Sequence, residues 1–163
     1  MIVNDKMQKC YSYEYVAPMG ADFAPDFQPQ LTPKQMLQLG VFEGHYMTDC
    51  QNEFPKDWFA GAKLSLKKPN IKLNYFRVKS RMSLQEWRNR GWIIGPDPRG
   101  WFQWYCRYYM GRRIPDIDAI QIRRWKSFKR HVIQIHKNCL PFDITCRPKQ
   151  RQALLQWAYT PFF

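Results

Sequence analysis

The sequence predicts a mainly α protein: a compact helical domain with a small β-hairpin, preceded by an extended N-terminal arm. The prediction rests on three features. Two capping boxes, Thr32-Pro33-Lys34-Gln35 and Ser83-Leu84-Gln85-Glu86, mark helix starts, as does the proline-led segment at Pro148. Through much of the region after Gly100 apolar residues recur at helical spacing. Only from Leu64 to Val78 does the apolar period fall to two. With 163 residues the chain can bury a core without metal or disulfide, so residues 31–163 are expected to form a single domain.

Taken in order, residues 1–30 place Pro18, Pro25 and Pro29 among several Tyr and Phe without any sustained period, the pattern of an extended arm that lays its aromatics on the body. A short helix follows the first capping box, with Met36, Leu37, Leu39 and Val41 on its apolar side, and Gly40 and Gly44 end it. Leu64, Leu66, Ile71, Leu73 and Tyr75, broken by Lys67-Lys68-Pro69-Asn70, predict the hairpin. The second capping box predicts a helix from Leu84 to Arg90 that carries Trp87. After the turn Gly95-Pro96-Asp97-Pro98-Arg99-Gly100, three helices are expected: Trp101 to Met110, Ile117 to Lys137 behind an Asp116 cap, and Pro148 to Tyr159. The first is apolar nearly all round and reads as the central helix. In the second, Ile122, Trp125, Val132 and His136 form the expected buried line.

Charge is the most unusual property of the chain. Lys and Arg number 26 against 13 acids, for a net charge of +13. Residues 1–60 are net −4 and residues 61–163 net +17, so one polyanion-facing surface is expected, with an acidic segment packed across it or clear of it. The charged opening residues do not read as a signal peptide, and no apolar run has membrane-spanning length. The odd count of five cysteines reads as reduced thiols. These features predict an intracellular protein, cytoplasmic or associated with nucleic acid, with no membrane partner and no cofactor.

Gln103 and Arg107 lie four apart on the central helix and so aim an amide and a guanidinium at one spot. A buried arginine needs a partner, either a structural ion pair with Asp97, Asp116 or Asp118, or a phosphate or base held in an aromatic-walled pocket. Asp97, Arg107 and Gln103 are therefore the catalytic candidates, although no phosphate-cradling glycine loop, nucleophile elbow or HExxH motif accompanies them. Arg112, Arg113, Arg123, Arg124, Lys126, Lys129, Arg130 and Lys137 have no interleaved acids and are the candidate nucleic-acid contacts. The helices flanking Gly111 to Asp116 bear only a weak likeness to a helix-turn-helix. His131, His136, Cys139 and Cys146 fall within sixteen residues, His136, Cys139 and Cys146 being the metal-ligand candidates, and satisfied core residues are the simpler reading of them.

The stretch DPRGWFQWYCRYYMGRR, with KNCLPFDITCRPKQRQALLQWAYT after it and LTPKQMLQLGVFEGHYMTDC before it, resembles a family of uncharacterised proteins of bacteria, fungi and viruses. The resemblance covers most of the chain from residue 31 onward and implies that Arg99, Arg107, Arg112, Arg113 and the Cys139 to Cys146 loop belong to a shared pattern. It implies no activity. The leading expectation is a basic nucleic-acid-binding accessory protein that contacts phosphates, of DNA or RNA, through a cationic helix face. One alternative is an enzyme acting on a nucleotide or DNA through a pocket around Arg107; another is a structural subunit of a nucleoprotein or virion assembly, with protein partners.

Overall fold

A computed structural model describes residues 1–163, and its architecture is mainly helical. The helices are α1 (Pro33–Leu39), α2 (Lys56–Phe59), α3 (Leu84–Asn89), α4 (Trp101–Tyr109), α5 (Pro115–Ser127), α6 (Lys129–Asn138) and α7 (Pro148–Leu155). Both capping boxes form. Thr32 and Gln35 exchange side-chain to backbone bonds at 3.2 and 2.8 Å, and Ser83 and Glu86 do so at 3.2 and 2.8 Å. Each such N-cap stabilises its helix by about 1 kcal/mol.

Helix α4 is the axis of the core, with every residue from Trp101 to Tyr108 buried. Around it pack Met36 and Leu37 of α1, Ile122 and Trp125 of α5, Ile135 of α6, and Leu154 and Leu155 of α7. An apolar helix with no wet face is stable only at such a centre.

The hairpin is real but lies elsewhere in the chain. Strands β1 (Ile2–Val3) and β2 (Tyr11–Ser12) pair antiparallel within the arm, Ile2 opposite Ser12 and Val3 opposite Tyr11. The Leu64 to Val78 stretch contains no strand. It is a strap whose backbone bonds to the α1 region, from Lys63 N to Leu37 O, Ser65 N to Gly44 O, Asn70 N to Glu43 O and Tyr75 N to Gly40 O. Its period of two does not mark one inward face: Leu66, Ile71 and Tyr75 are exposed, Leu64 and Leu73 are half-buried, and Ile71–Leu73 is a 3-10 turn.

The arm runs on from β2 over the end of α4. Val16 N and Ala17 N both donate to Gly111 O, Gly20 N donates to Tyr109 O, and Phe27 enters the core at 1% exposure against Trp104, Tyr105, Tyr108 and Trp125. Gly111 permits this crossing. Its φ is 109°, and a Cβ there would stand 2.0 Å from Ala17 O. Gly111→Ala should therefore destabilise the fold by about 2–4 kcal/mol and release the arm to protease, measured by denaturant titration and limited proteolysis.

The helix expected over 117–137 is two helices. At Phe128 the backbone makes i to i+3 bonds, from Phe128 N to Trp125 O and from His131 N to Phe128 O, and its ring stacks on Trp157 at 4.0 Å. The break resets the helical register. Ile135 becomes the buried residue of α6, while His136 is exposed rather than on the buried line. Asp116 is likewise exposed and does not cap α5; Asp118 does so from inside, accepting Ile114 N at 2.7 Å.

Two of the five cysteines are not thiols. Cys139 and Cys146, with Cα atoms 5.9 Å apart, are joined as a disulfide, while Cys10, Cys50 and Cys106 are free. Both sulfurs are thereby withdrawn from metal ligation, and His136 stacks on Phe163 instead, at 4.6 Å. No helix is long and apolar enough to cross a membrane.

Candidate nucleic-acid interface

Two of the catalytic candidates, Asp97 and Arg107, lie in an ion network, while Gln103 accepts the Arg99 N–H at 3.0 Å and its Nε2 is buried without a partner. Asp97, Gln103 and Arg107 are each 0% exposed. Arg107 Nε and Nη2 meet the two oxygens of Glu53 at 2.6 and 3.0 Å, Nη1 meets Asp97 at 3.0 Å and Pro96 O at 2.9 Å, and Nη2 also meets Gln8 at 2.8 Å. Burial pushes the guanidinium toward neutrality, but Glu53 and Asp97 outweigh it and hold its pKa above the ordinary range. Every nitrogen of Arg107 is committed to protein. Arg107 therefore offers no free donor to a ligand, and its contacts hold the leading segment to α4.

Two neighbouring arginines share this fate. Arg112, expected to touch nucleic acid, is 2% exposed and forms a bidentate pair with Asp97 at 2.8 and 2.7 Å. Arg99 bonds Asp49 at 3.2 and 2.9 Å and Asp5 at 3.1 Å. Burial raises the Asp5 carboxyl, yet Arg99 and the N–H groups of Met7 and Gln8 prevail and hold it below its usual range. The acidic leading segment thus packs into the basic body, where Asp5, Asp49 and Glu53 neutralise Arg99 and Arg107.

The remaining predicted contacts divide. Arg113 is half-buried, lies 3.8 Å over the Tyr108 ring, and donates to the carbonyls of Tyr108, Arg112, Ala21 and Asp22, so it ties the arm to the end of α4. Lys126 pairs with Asp26 at the surface. Arg123, Lys129, Arg130 and Lys137 are exposed and have no carboxylate partner.

The eighth, Arg124, borders a feature that sequence reasoning did not find. A cavity of about 430 Å³ opens between α3, the start of α4, the end of α5 and α7. Trp87, Trp92, Trp101, Phe102, Phe128 and Trp157 wall it, and Lys79, Arg81, Arg124 and Lys149 supply its cations. Its lining contains no carboxylate, imidazole or thiol. One wall is a stacked column in which Trp157 sits between Phe128 at 4.0 Å and Trp101 at 4.5 Å. Gly100 holds φ 82° at the head of α4, and its bare α-carbon lets Trp87 and Ile93 close on the helix.

The cations are positioned from separate elements. Gln156, buried at the C-cap of α7, donates to Ser80 O at 3.1 Å, and Ser80 Oγ donates to Lys149 O at 2.6 Å, so residues 79–82 are laced to α7 and its cap. Arg81 meets Glu43 through one nitrogen at 2.9 Å, while its Nε is buried with no partner. Arg124 donates to Trp92 O at 3.0 Å and Gln121 Oε1 at 2.8 Å and meets no carboxylate, and burial alone pushes its pKa down. A half-buried guanidinium with only neutral partners is the arrangement an incoming anion stabilises most.

The residues of this site come from six stretches between Phe42 and Trp157. The one signal in the sequence is that four of the seven tryptophans line a single cavity, a relation that appears only after folding. Comparison with family models, with curated proteins and with solved structures found no match, so the reading of the site rests on its own geometry.

Proposed function

We propose that this chain is a nucleic-acid-binding protein that prefers unpaired strands, taking a base into the cavity beside Trp157 and Trp101 and phosphates onto Arg124, Lys79 and Lys149. One observation carries the reading: an aromatic-walled cavity whose only charged residues are cations. Its volume suits one flat, nucleotide-sized group. Stacking on aromatic rings is worth about 1–3 kcal/mol per base and does not depend on base identity. The exposed Arg123, Lys129, Arg130 and Lys137 offer further cations to phosphates. Because the lining offers no carboxylate, imidazole or thiol, it supports binding rather than acid–base catalysis.

The test is a titration of labelled single-stranded DNA and RNA, and of the matching duplex, followed by anisotropy and by quenching of tryptophan fluorescence. Single strands should bind more tightly than duplex, quench the emission, and weaken steeply as salt rises, with a slope near 0.7 per phosphate neutralised. Absence of binding at low salt, or binding that leaves tryptophan emission unchanged, overturns the reading.

A further inference from the structure

The loop joining α6 to α7 carries the two most exposed large apolar side chains of the chain, Leu140 at 77% and Phe142 at 81%, with Pro141 between them. A loose loop would fold such groups back onto the body. This one is held out by three devices. The Cys139–Cys146 disulfide closes it. Fully buried Arg151 donates to the carbonyls of Cys146 and Asp143 in the loop, and to those of Pro161 and Phe163 in the C-terminal segment, at 2.6 to 3.1 Å. The Asp143 carboxylate turns back on Thr145, accepting its N–H at 3.0 Å and its hydroxyl at 2.6 Å. Phe142 itself has φ 63°, in the left-handed region that a bulky residue occupies only at a conformational cost. A rigid loop that keeps a phenyl ring in water at such a cost is built to be covered by a partner.

The surrounding charge identifies that partner. From Ala119 to Phe163 there are nine Lys and Arg and one acid, Asp143, whose carboxylate is occupied within its own loop. Exposed Lys137 precedes the tip in the chain, and exposed Arg147 and Lys149 follow it. Lys149 also lines the cavity, and the chain between it and Phe142 can span at most about 25 Å, so the tip lies within that distance of a cavity-lining residue. The partner must present dense negative charge bordering flat apolar faces. A stack of base pairs flanked by phosphates presents both, and Leu, Pro and Phe are residues that enter base steps. We infer that Leu140-Pro141-Phe142 is a wedge that enters the base stack where paired and unpaired strands meet, the unpaired strand continuing to the cavity. This rests on the single-strand reading above and adds to it a substrate class, the junction.

The test compares the full chain with L140S/F142S, whose altered side chains contact solvent, so that circular dichroism and thermal midpoint should match. Both proteins are titrated onto a single strand and onto a duplex with a single-stranded overhang, a fluorescent adenine analogue at the terminal pair reporting unstacking. The parent should bind the junction at least about tenfold more tightly than the variant and brighten the analogue, while single-strand affinities agree within about twofold. Equal junction binding by both, with the analogue unchanged, overturns the wedge and leaves the single-strand reading standing. Failure of the parent to bind the single strand overturns that reading and the wedge with it. If vesicles containing phosphatidylserine bind the parent and not the variant while junction binding is unaltered, the tip addresses a lipid surface and the wedge is overturned.

Discussion

Arg107→Met should cost the protein a large share of its stability, lowering the free energy of unfolding by about 3–5 kcal/mol. The cause is the charge left behind. Glu53, a buried carboxylate, would keep only the Tyr13 hydroxyl at 3.0 Å, and Gln8 Oε1 would lose its donor, while Pro96 O would keep Gln8 Nε2 at 2.8 Å. Asp97 would keep Arg112, so the penalty falls mainly on Glu53. A small domain has about 5–15 kcal/mol to lose, so the variant forfeits from about a fifth to all of its stability. Arg107→Lys should recover only part of the deficit, because one ammonium cannot face Glu53, Asp97 and Gln8 from the directions the planar guanidinium uses. Arg123→Met, at an exposed position, should stay within about 0.5 kcal/mol of the parent. Urea titration decides it: an Arg107→Met midpoint equal to that of Arg123→Met would refute the structural role given to the network.

The network also shows where sequence reasoning stops. That Arg107 requires an acid follows from an arginine on a helix apolar all round, and Asp97 was among the acids within reach in sequence. Glu53 was not. It lies 54 residues away and reaches Arg107 only because the leading segment wraps the body, a tertiary fact with no local trace. The helix starts were legible because a capping box is a contact between residues three apart. The break at Phe128 was hidden, since Phe is an ordinary helix residue and its stacking partner Trp157 is supplied by the end of the chain. Periodicity misplaced the hairpin because the strap is held by backbone bonds to distant residues from Leu37 to Gly44, while Leu66, Ile71 and Tyr75 of the apparent period stay exposed. Cationic residues were readable as a total and not as a surface: Arg99, Arg107 and Arg112 disappear into ion pairs, while Lys79 and Lys149, unremarkable in sequence, face the cavity.

The cavity therefore carries the functional reading, and reversing two of its cations should abolish binding. Arg124→Glu with Lys149→Glu removes two phosphate partners and places two carboxylates beside the aromatic walls. Each charge-assisted hydrogen bond lost costs about 1.5–3 kcal/mol, so single-strand affinity should fall at least about 100-fold at moderate salt. The slope of log affinity against log salt should also flatten by about 1.4, the share of two phosphates. Net charge alone would produce some loss, and Lys67→Glu with Lys68→Glu isolates it, since these exposed lysines line no part of the cavity and the charge change is the same. That control should weaken binding by no more than a few-fold and leave tryptophan quenching intact. Arg124→Gln with Lys149→Gln, which keeps a hydrogen-bonding side chain at each place, should fall between the two. If both reversals weaken binding equally, affinity belongs to the overall field of the protein, and the aromatic cavity is not where the strand sits.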